Sequence, residues 1–562
     1  MKKIPFLQYK NSEWVNAQLS SMTLKEKVGQ LFQVAAFSNR DQEHVDYIET
    51  LIKEHKIGGL TFFQGEPVKQ AELTNQYQAL SKVPLFINID AEWGLGMRLD
   101  NTVKFPYQMA LGAIQDNELI YQMARQIGKH CKRLGVHSAL APVVDVNNNP
   151  NNPVINYRSY GENKYKVAEK GEAYIRGLQD ENILDNAKHF PGHGDTSVDS
   201  HLDLPVLPHS AERLESLELY PFEELQKAGM SSVMSAHLSI PAWDDRPNVP
   251  ATLSDKILQG ILRDKMGFEG LVITDAMDMH GITNHYPAGV SDKLAIIAGN
   301  DIITNSKDVP AGIEGILEAV AQGEITEALI DEKVRKVLAM KQWVGLADYQ
   351  PIVLDGLIED LNDQASEELN YTLSAAATTV LPKEENFLPL NKTKKTAFLY
   401  ITNKGNTVSS RDAVAHHLAD MATKRVENNF AKIVEEQWSD AAHYHWNEQE
   451  GIEALQKLVE ECKQYEQLVI SIHGVNIKPF NNFDIPLEAV PYLQQLYTNI
   501  PTAFVLFGNA YALQHFPQVD QAATIIVTYQ ENKFFQQEAV NALLKGGVYD
   551  AVLPVMGEVK VL

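Results

Sequence analysis

The chain has 562 residues and a formal net charge of −24, from 73 acidic against 49 basic side chains. That length exceeds one ordinary core and points to two domains, while the charge repels nucleic acid and anionic membrane surfaces, so neither is an expected partner. Hydrophobic residues at 44% and charged residues at 22% describe a globular chain that folds throughout, without long disordered tracts.

The N-terminal MKKIPFLQYKNSEW has two leading lysines but no apolar stretch of signal-peptide length, and no run of 18 apolar residues occurs anywhere. A cytoplasmic protein without membrane insertion is the expectation; a leader removed ahead of Met1 would leave the same sequence and place the protein in the periplasm or outside the cell. Thr23 and Glu26 then form a capping-box signal for a first helix. Short apolar, β-branched runs follow at 31–37, 57–63, 84–90, 138–146, 183–190, 232–237, 271–275 and 301–305, separated by helical patterns such as 42–55, 117–134, 211–228 and 254–265. Eight strand–helix alternations, nearly continuous in apolar residues, predict a (β/α)₈ TIM-like barrel over 1–348. Residues 349–365 read as a linker, and 366–379 as a helix. Strand patterns at 396–401, 467–473, 502–507 and 524–528 then predict an α/β sandwich domain over 366–562. The two cysteines, Cys131 and Cys462, fall in predicted helices of different domains, so no disulfide framework is expected.

Barrel enzymes gather their chemistry at the C-terminal strand ends, and here those ends carry Asp90, Asp145, Lys188-His189, His237, Asp275 and Asn305, while the opposite ends read as poor in polar groups. Asp275 ends the run Leu-Val-Ile-Thr, which would hold its carboxylate on a rigid element. A strand-end Asp also serves as a helix cap, although Asp278 is available for that. The loop KHFPGHGDTSVDSH is the most unusual stretch. Asp199 and His201 stand two residues apart, so in extended chain they share a face, and the carboxylate fixes the imidazole tautomer and raises its pKa into the range of a usable acid and base. His189, His193 and His201 with Asp195 and Asp199 also form a donor set suited to a metal ion.

Lys188-His-Phe-Pro-Gly-His-Gly-Asp-Thr followed by Asp199-Ser-His201 resembles the signature loop of family 3 glycoside hydrolases of the bacterial β-N-acetylglucosaminidase type. Met22–Gln30, Asp145–Gly161, Met234–His237 and Ile273–Asp278 are similar to that family as well. The resemblance implies Asp275 as nucleophile, His201 as acid/base paired with Asp199, and sugar-hydroxyl contacts from Asp90, Arg98, Arg158, Lys188 and His189. It implies a retaining exo-acting enzyme on GlcNAc-terminated β-linked glycans, muropeptides or chitooligosaccharides, with no cofactor and no metal. A phosphorylase on the same site, a metal-dependent hydrolase and a non-catalytic sugar-binding protein are the rival readings. One departure stands in Asp90-Ala-Glu-Trp-Gly-Leu-Gly-Met-Arg98, where relatives carry small and basic residues; Trp93 either offers the aglycone an indole face or plugs the barrel mouth. The second domain is similar to the sandwich that follows the barrel in longer family members, without a motif that assigns it a chemical role.

Overall fold

The structure, a computed structural model, describes residues 2–199, 203–403 and 429–555. It divides into two compact units: Met1–Phe105, Asn117–Val146 and Lys164–Ser366 form the first, and Pro106–Asp116, Asn147–Asn163 and Glu367–Leu562 the second. Two short stretches inside the predicted 1–348 barrel therefore fold with the second unit.

The helix Leu24–Gly29 ahead of the first strand carries the predicted reciprocal capping box of Thr23 and Glu26, but it is not the first helix, because Glu13–Ser20, capped by Ser12, precedes it. The ladder strands of the first unit are β1 (Phe32–Ala36), β2 (Gly59–Phe62), β3 (Phe86–Ile89), β4 (Ala187–Phe190), β5 (Ser232–Ser235), β6 (Leu271–Thr274) and β7 (Ile303–Thr304). All pairings are parallel, in the orders β3-β2-β1-β7 and β4-β5-β6. An Ile273–Ile302 bridge joins β6 to β7. The predicted run 138–146 closes the remaining gap through single bridges, Asn88–Ser138 on one side and Ser138–Leu184 and Val143–Lys188 on the other. That run does not form a ladder strand because its middle is unsuited to one. Pro142 has no N–H to donate, and Leu140 takes a φ of 43° that an L-residue adopts at a cost of about 1–2 kcal/mol. The barrel thus closes with one irregular wall, which ends at Asp145.

Helices cover the strands. Asn117–Arg133 and Lys164–Asp180 pack closely, because a Cβ on Gly177 would come within 2.5 Å of the Tyr121 carbonyl. The predicted helix 211–228 is broken into Ala211–Ser216 and Tyr220–Ala228, with Pro221 in the first turn of the second piece. The N-terminal strand ends are less apolar than the sequence pattern suggests. Buried Asp185 accepts the Ser231 N–H at 2.8 Å, and buried Asp301 takes Arg263 at 2.8 Å and Lys333 at 3.5 Å. These carboxylates are tied to neighbouring elements. Residues 349–365, read as a linker, are strapped to the first unit: Arg133 donates to the carbonyls of Val353 at 2.6 Å and Asp355 at 2.8 Å, and Asn75 exchanges two hydrogen bonds with Ile352.

In the second unit, β8 (Thr379–Pro382), β9 (Thr396–Thr402), β10 (Ala442–Asn447), β11 (Gln467–His473), β12 (Thr502–Leu506) and β13 (Thr524–Val527) form one sheet in the order β10-β9-β11-β12-β13-β8. Only β8 is antiparallel. Phe398, Tyr400, Phe430, Trp438, Val505 and Leu543 belong to its core. Cys131 and Cys462 are both buried free thiols, and burial pushes each up to about 12. Among the described residues no helix is long and apolar enough to cross a membrane.

Candidate active site

The site is built where the barrel strands end. β3 delivers Asp90, whose carboxylate is paired with Arg98 and, at 2.9 Å, with the Lys188 ammonium from β4. Lys188 also lies 2.9 Å from buried Glu92. Two cations and two carboxylates thus alternate as Arg98–Asp90–Lys188–Glu92. Burial works to raise the Asp90 carboxyl, but Lys188 and Arg98 outweigh it and hold the group well below the ordinary carboxylate range. Asp90 is therefore a permanent hydrogen-bond acceptor. The Arg98 guanidinium also lies over the Phe63 ring, 4.9 Å from its centroid.

His189 follows Lys188 and is fixed by buried Asp145. The Asp145 carboxylate accepts the His189 and His193 backbone N–H groups at 3.0 and 2.7 Å, and the His189 ring bonds to it through Nδ1 at 2.8 Å. Nδ1–H is thereby the donor toward Asp145, and the Nε2 edge of the ring points away from it. Burial raises the Asp145 carboxyl, but His189 and His193 bring it below its usual value. His193 sits edge-on to His189 with centroids 5.9 Å apart, and its Nδ1 lies 2.8 Å from the Thr196 hydroxyl.

Asp275 continues β6 and is half-buried. Its N–H donates to the Ser235 carbonyl at 3.0 Å, the next-but-one N–H, of Met277, donates to Thr304 at 2.9 Å, and its Oδ1 accepts the Ala276 N–H at 2.8 Å. Buried His237 bonds through Nε2 to the Ala276 carbonyl at 3.0 Å and through Nδ1 to Thr252 at 2.8 Å, so an imidazole clamps the peptide beside Asp275. The Asp275 charge also acts on His193.

The loop after β4 turns at Gly192, whose φ is 134° and where a Cβ would come within 2.8 Å of Glu218. Asp195 is held by His209 at 2.9 Å and Arg213 at 3.4 Å. Asp199 is partly buried, and its carbonyl accepts the Asp203 N–H at 3.2 Å. His201 lies outside the described residues.

Residues 23–340 match the Glycosyl hydrolase family 3 N terminal domain. The chain belongs to glycosyl hydrolase family 3. Over 543 residues it is 26% identical to the β-N-acetylglucosaminidase/β-glucosidase of Cellulomonas fimi, covering 94% of this chain and 93% of that protein. A family 3 β-N-acetylglucosaminidase from Paenibacillus sp. str. FPU-7 superposes with a TM-score of 0.78 at 30% identity, covering 96% and 100% of the two chains. A β-glucoside phosphorylase, BglX, shares the fold with a TM-score of 0.80 at 22% identity, covering 99% of each.

Within this family 3 barrel, the structure brings Asp90, Arg98 and Lys188 into one charge cluster, with His189 beside Lys188. Arg158 belongs to the stretch that folds with the second unit, where it is buried. Asp145, Glu92 and His237 were given no role by the sequence pattern, although Asp145 and His237 stand at strand ends; His193, read there only as a possible metal donor, instead packs edge-on against His189. Trp93 is wholly buried, so its indole offers no face to an aglycone and fills the barrel mouth instead. Of those loop donors, His189 is engaged with Asp145, His193 with Thr196 and Asp195 with His209, and among the described residues no three His, Cys, Asp or Glu side chains converge as a metal-holding group.

His193 has a measurable consequence. Burial, reinforced by His189, pushes its imidazole down to about 4. The folded chain refuses a proton that the unfolded chain accepts near the ordinary value of 6.5. Its neutral state therefore favours folding fully above pH 6.5, and this contribution is lost as pH falls toward 4, by about 1.4 kcal/mol per pH unit at most. Asp185 and Asp292, pushed up to about 6 by burial, act in the opposite sense, so the effect is read as a difference. His193→Gln is expected to lose less stability than the parent between pH 6.5 and 4.5 in urea unfolding; parallel pH profiles would refute the assignment.

Proposed function

We propose that this glycoside hydrolase is a retaining exo-β-N-acetylglucosaminidase that releases terminal GlcNAc from muropeptides or chitooligosaccharides. The observation that carries the reading is Asp275, held by backbone bonds at the tip of β6 in a barrel that also builds the Arg98–Asp90–Lys188–Glu92 cluster. The names of the Cellulomonas and Paenibacillus relatives support the choice of sugar.

In this reading Asp90, Arg98, Lys188, His189 and Arg158 engage the sugar hydroxyls, and that binding energy orients C1 against the Asp275 carboxylate. Asp90 accepts from hydroxyls, while Lys188 and Arg98 donate. Asp275 attacks C1 as the glycosidic bond breaks, and the departing oxygen takes a proton from His201, whose tautomer Asp199 sets. Neutral His201 then removes a proton from water, which attacks C1 of the glycosyl–Asp275 ester and frees the sugar with retained configuration. No step calls for a cofactor.

The test is turnover of an aryl β-N-acetylglucosaminide against the matching β-glucoside, in phosphate buffer with product analysis. The N-acetyl substrate is expected to be faster by about tenfold or more in kcat/KM, with free GlcNAc as product. A faster glucoside would overturn the sugar assignment, and sugar 1-phosphate as the main product would make the enzyme a phosphorylase.

A further inference from the structure

Asn147–Asn163 begins two residues after Asp145 and carries Arg158, yet it folds with the second unit. Buried amides set its shape. Asn147 Oδ1 accepts the Asn156 N–H at 2.9 Å, and Asn152 Oδ1 accepts the Val154 and Ile155 N–H groups at 2.9 and 2.8 Å. The resulting turn takes the Arg158 N–H on the Ile155 carbonyl at 2.7 Å and turns the guanidinium onto the Val154 carbonyl at 3.3 Å.

Two side chains that follow β12 complete this arrangement. Asn509 donates through Nδ2 to Asn156 Oδ1 at 2.6 Å and to the Ile477 carbonyl at 2.7 Å. The Tyr511 hydroxyl lies 2.9 Å from both the Asn147 carbonyl and the Glu162 carboxylate, and accepts from Asn147 Nδ2 at 3.0 Å. Asn509 and Tyr511 are 1% and 2% exposed, so water does not replace a bond that is lost. Asn147 and Asn156, the two amides that bend the loop toward Arg158, are the ones these side chains hold.

We propose that Asn509 and Tyr511 are positioning residues for substrate binding, holding the 147–163 loop in the one conformation that presents Arg158 to the sugar. This rests on the reading of Arg158 as a sugar contact given above. Neither residue touches substrate; both act through the loop.

The test is a double-mutant cycle on the full chain with an aryl β-N-acetylglucosaminide. Tyr511→Phe keeps the ring and removes only the hydroxyl with its bonds to Asn147 and Glu162, and should raise KM by about 5- to 30-fold, the scale of lost buried hydrogen bonds, with a much smaller change in kcat. Asn509→Asp, equal in size but unable to donate to Asn156, should do the same. In an Arg158→Ala background neither change should raise KM further, because the group they position is gone. An equal KM effect with and without Arg158 would show that they act on stability or on another contact, and overturns the proposal. So does an unchanged KM in Tyr511→Phe and Asn509→Asp where Arg158→Ala alone raises it. If Arg158→Ala itself leaves KM unchanged, the sugar-contact reading of Arg158 fails, and the positioning role falls with it.

Discussion

Asp275→Ala is expected to lower turnover of every glycoside by roughly 10⁴-fold or more, the scale on which a reacting unit loses its central group. The protein should remain folded. The backbone bonds that anchor this point, Asp275 N–H to Ser235 and Met277 N–H to Thr304, survive the substitution, as does the His237 bond to the Ala276 carbonyl. The bond from Ala276 N–H to the carboxylate is lost, at a cost of about 1 kcal/mol. A 2-fluoro glycosyl donor should trap an ester on the peptide containing residues 273–279. Label on another peptide, or residual activity within about tenfold of the parent, would mean that a different group attacks C1.

His201→Ala should separate two duties. With a second sugar as leaving group, the departing oxygen needs a proton, and glycosylation should slow by about 10² to 10⁴-fold. A dinitrophenolate leaves without that help, so the same variant should keep most of its first step on the dinitrophenyl glycoside. It then stalls as the ester, because no base activates water. The expected trace is a burst of phenol followed by slow turnover, with azide accelerating the slow phase. Asp199→Ala should give a weaker form of the pattern, since the imidazole remains but loses its orienting carboxylate. Equal losses on both substrates without azide rescue would place the acid/base elsewhere in the loop.

The barrel was legible because buried parallel strands must be apolar throughout. The predicted 57–63, 84–90, 232–237 and 271–275 each contain a ladder strand to within a few residues. Residues 138–146 are equally apolar, but Leu140 and Pro142 decide their geometry, and hydrophobicity does not report φ. β10 was missed because it is an edge strand among the described residues: Ala-His-Tyr-His-Trp-Asn pairs there on one side only and needs no apolar run. β8 was not read at all, since four residues have no period of their own; the predicted helix 366–379 meets it only at Thr379.

Strand-end position marked Asp90, Lys188, His189 and Asp275 as candidates, and the structure places each at the end of a barrel strand. Asp145 was visible as a strand-end acid, but its task of gathering two backbone N–H groups and one imidazole depends on a turn at Gly192, and that is a tertiary fact. Burial likewise decided Trp93, because a tryptophan reads the same in sequence whether it lines a pocket or fills a mouth.

The interleaving of the two units bears on how the protein is made. Asn156 waits for Asn509, 353 residues further along the chain, and Tyr107 for Gln530, 423 residues further. At synthesis rates of about 5–20 residues per second these partners emerge roughly 20 to 80 s apart. The barrel sequence up to residue 366 is complete long before then, but two of its excursions have nothing to bind. Folding of this chain on the ribosome is therefore not a matter of one domain finishing before the next begins. Two early loops meet their partners only when the last strands of the second sheet arrive, and Arg158 is among the last groups to take its place.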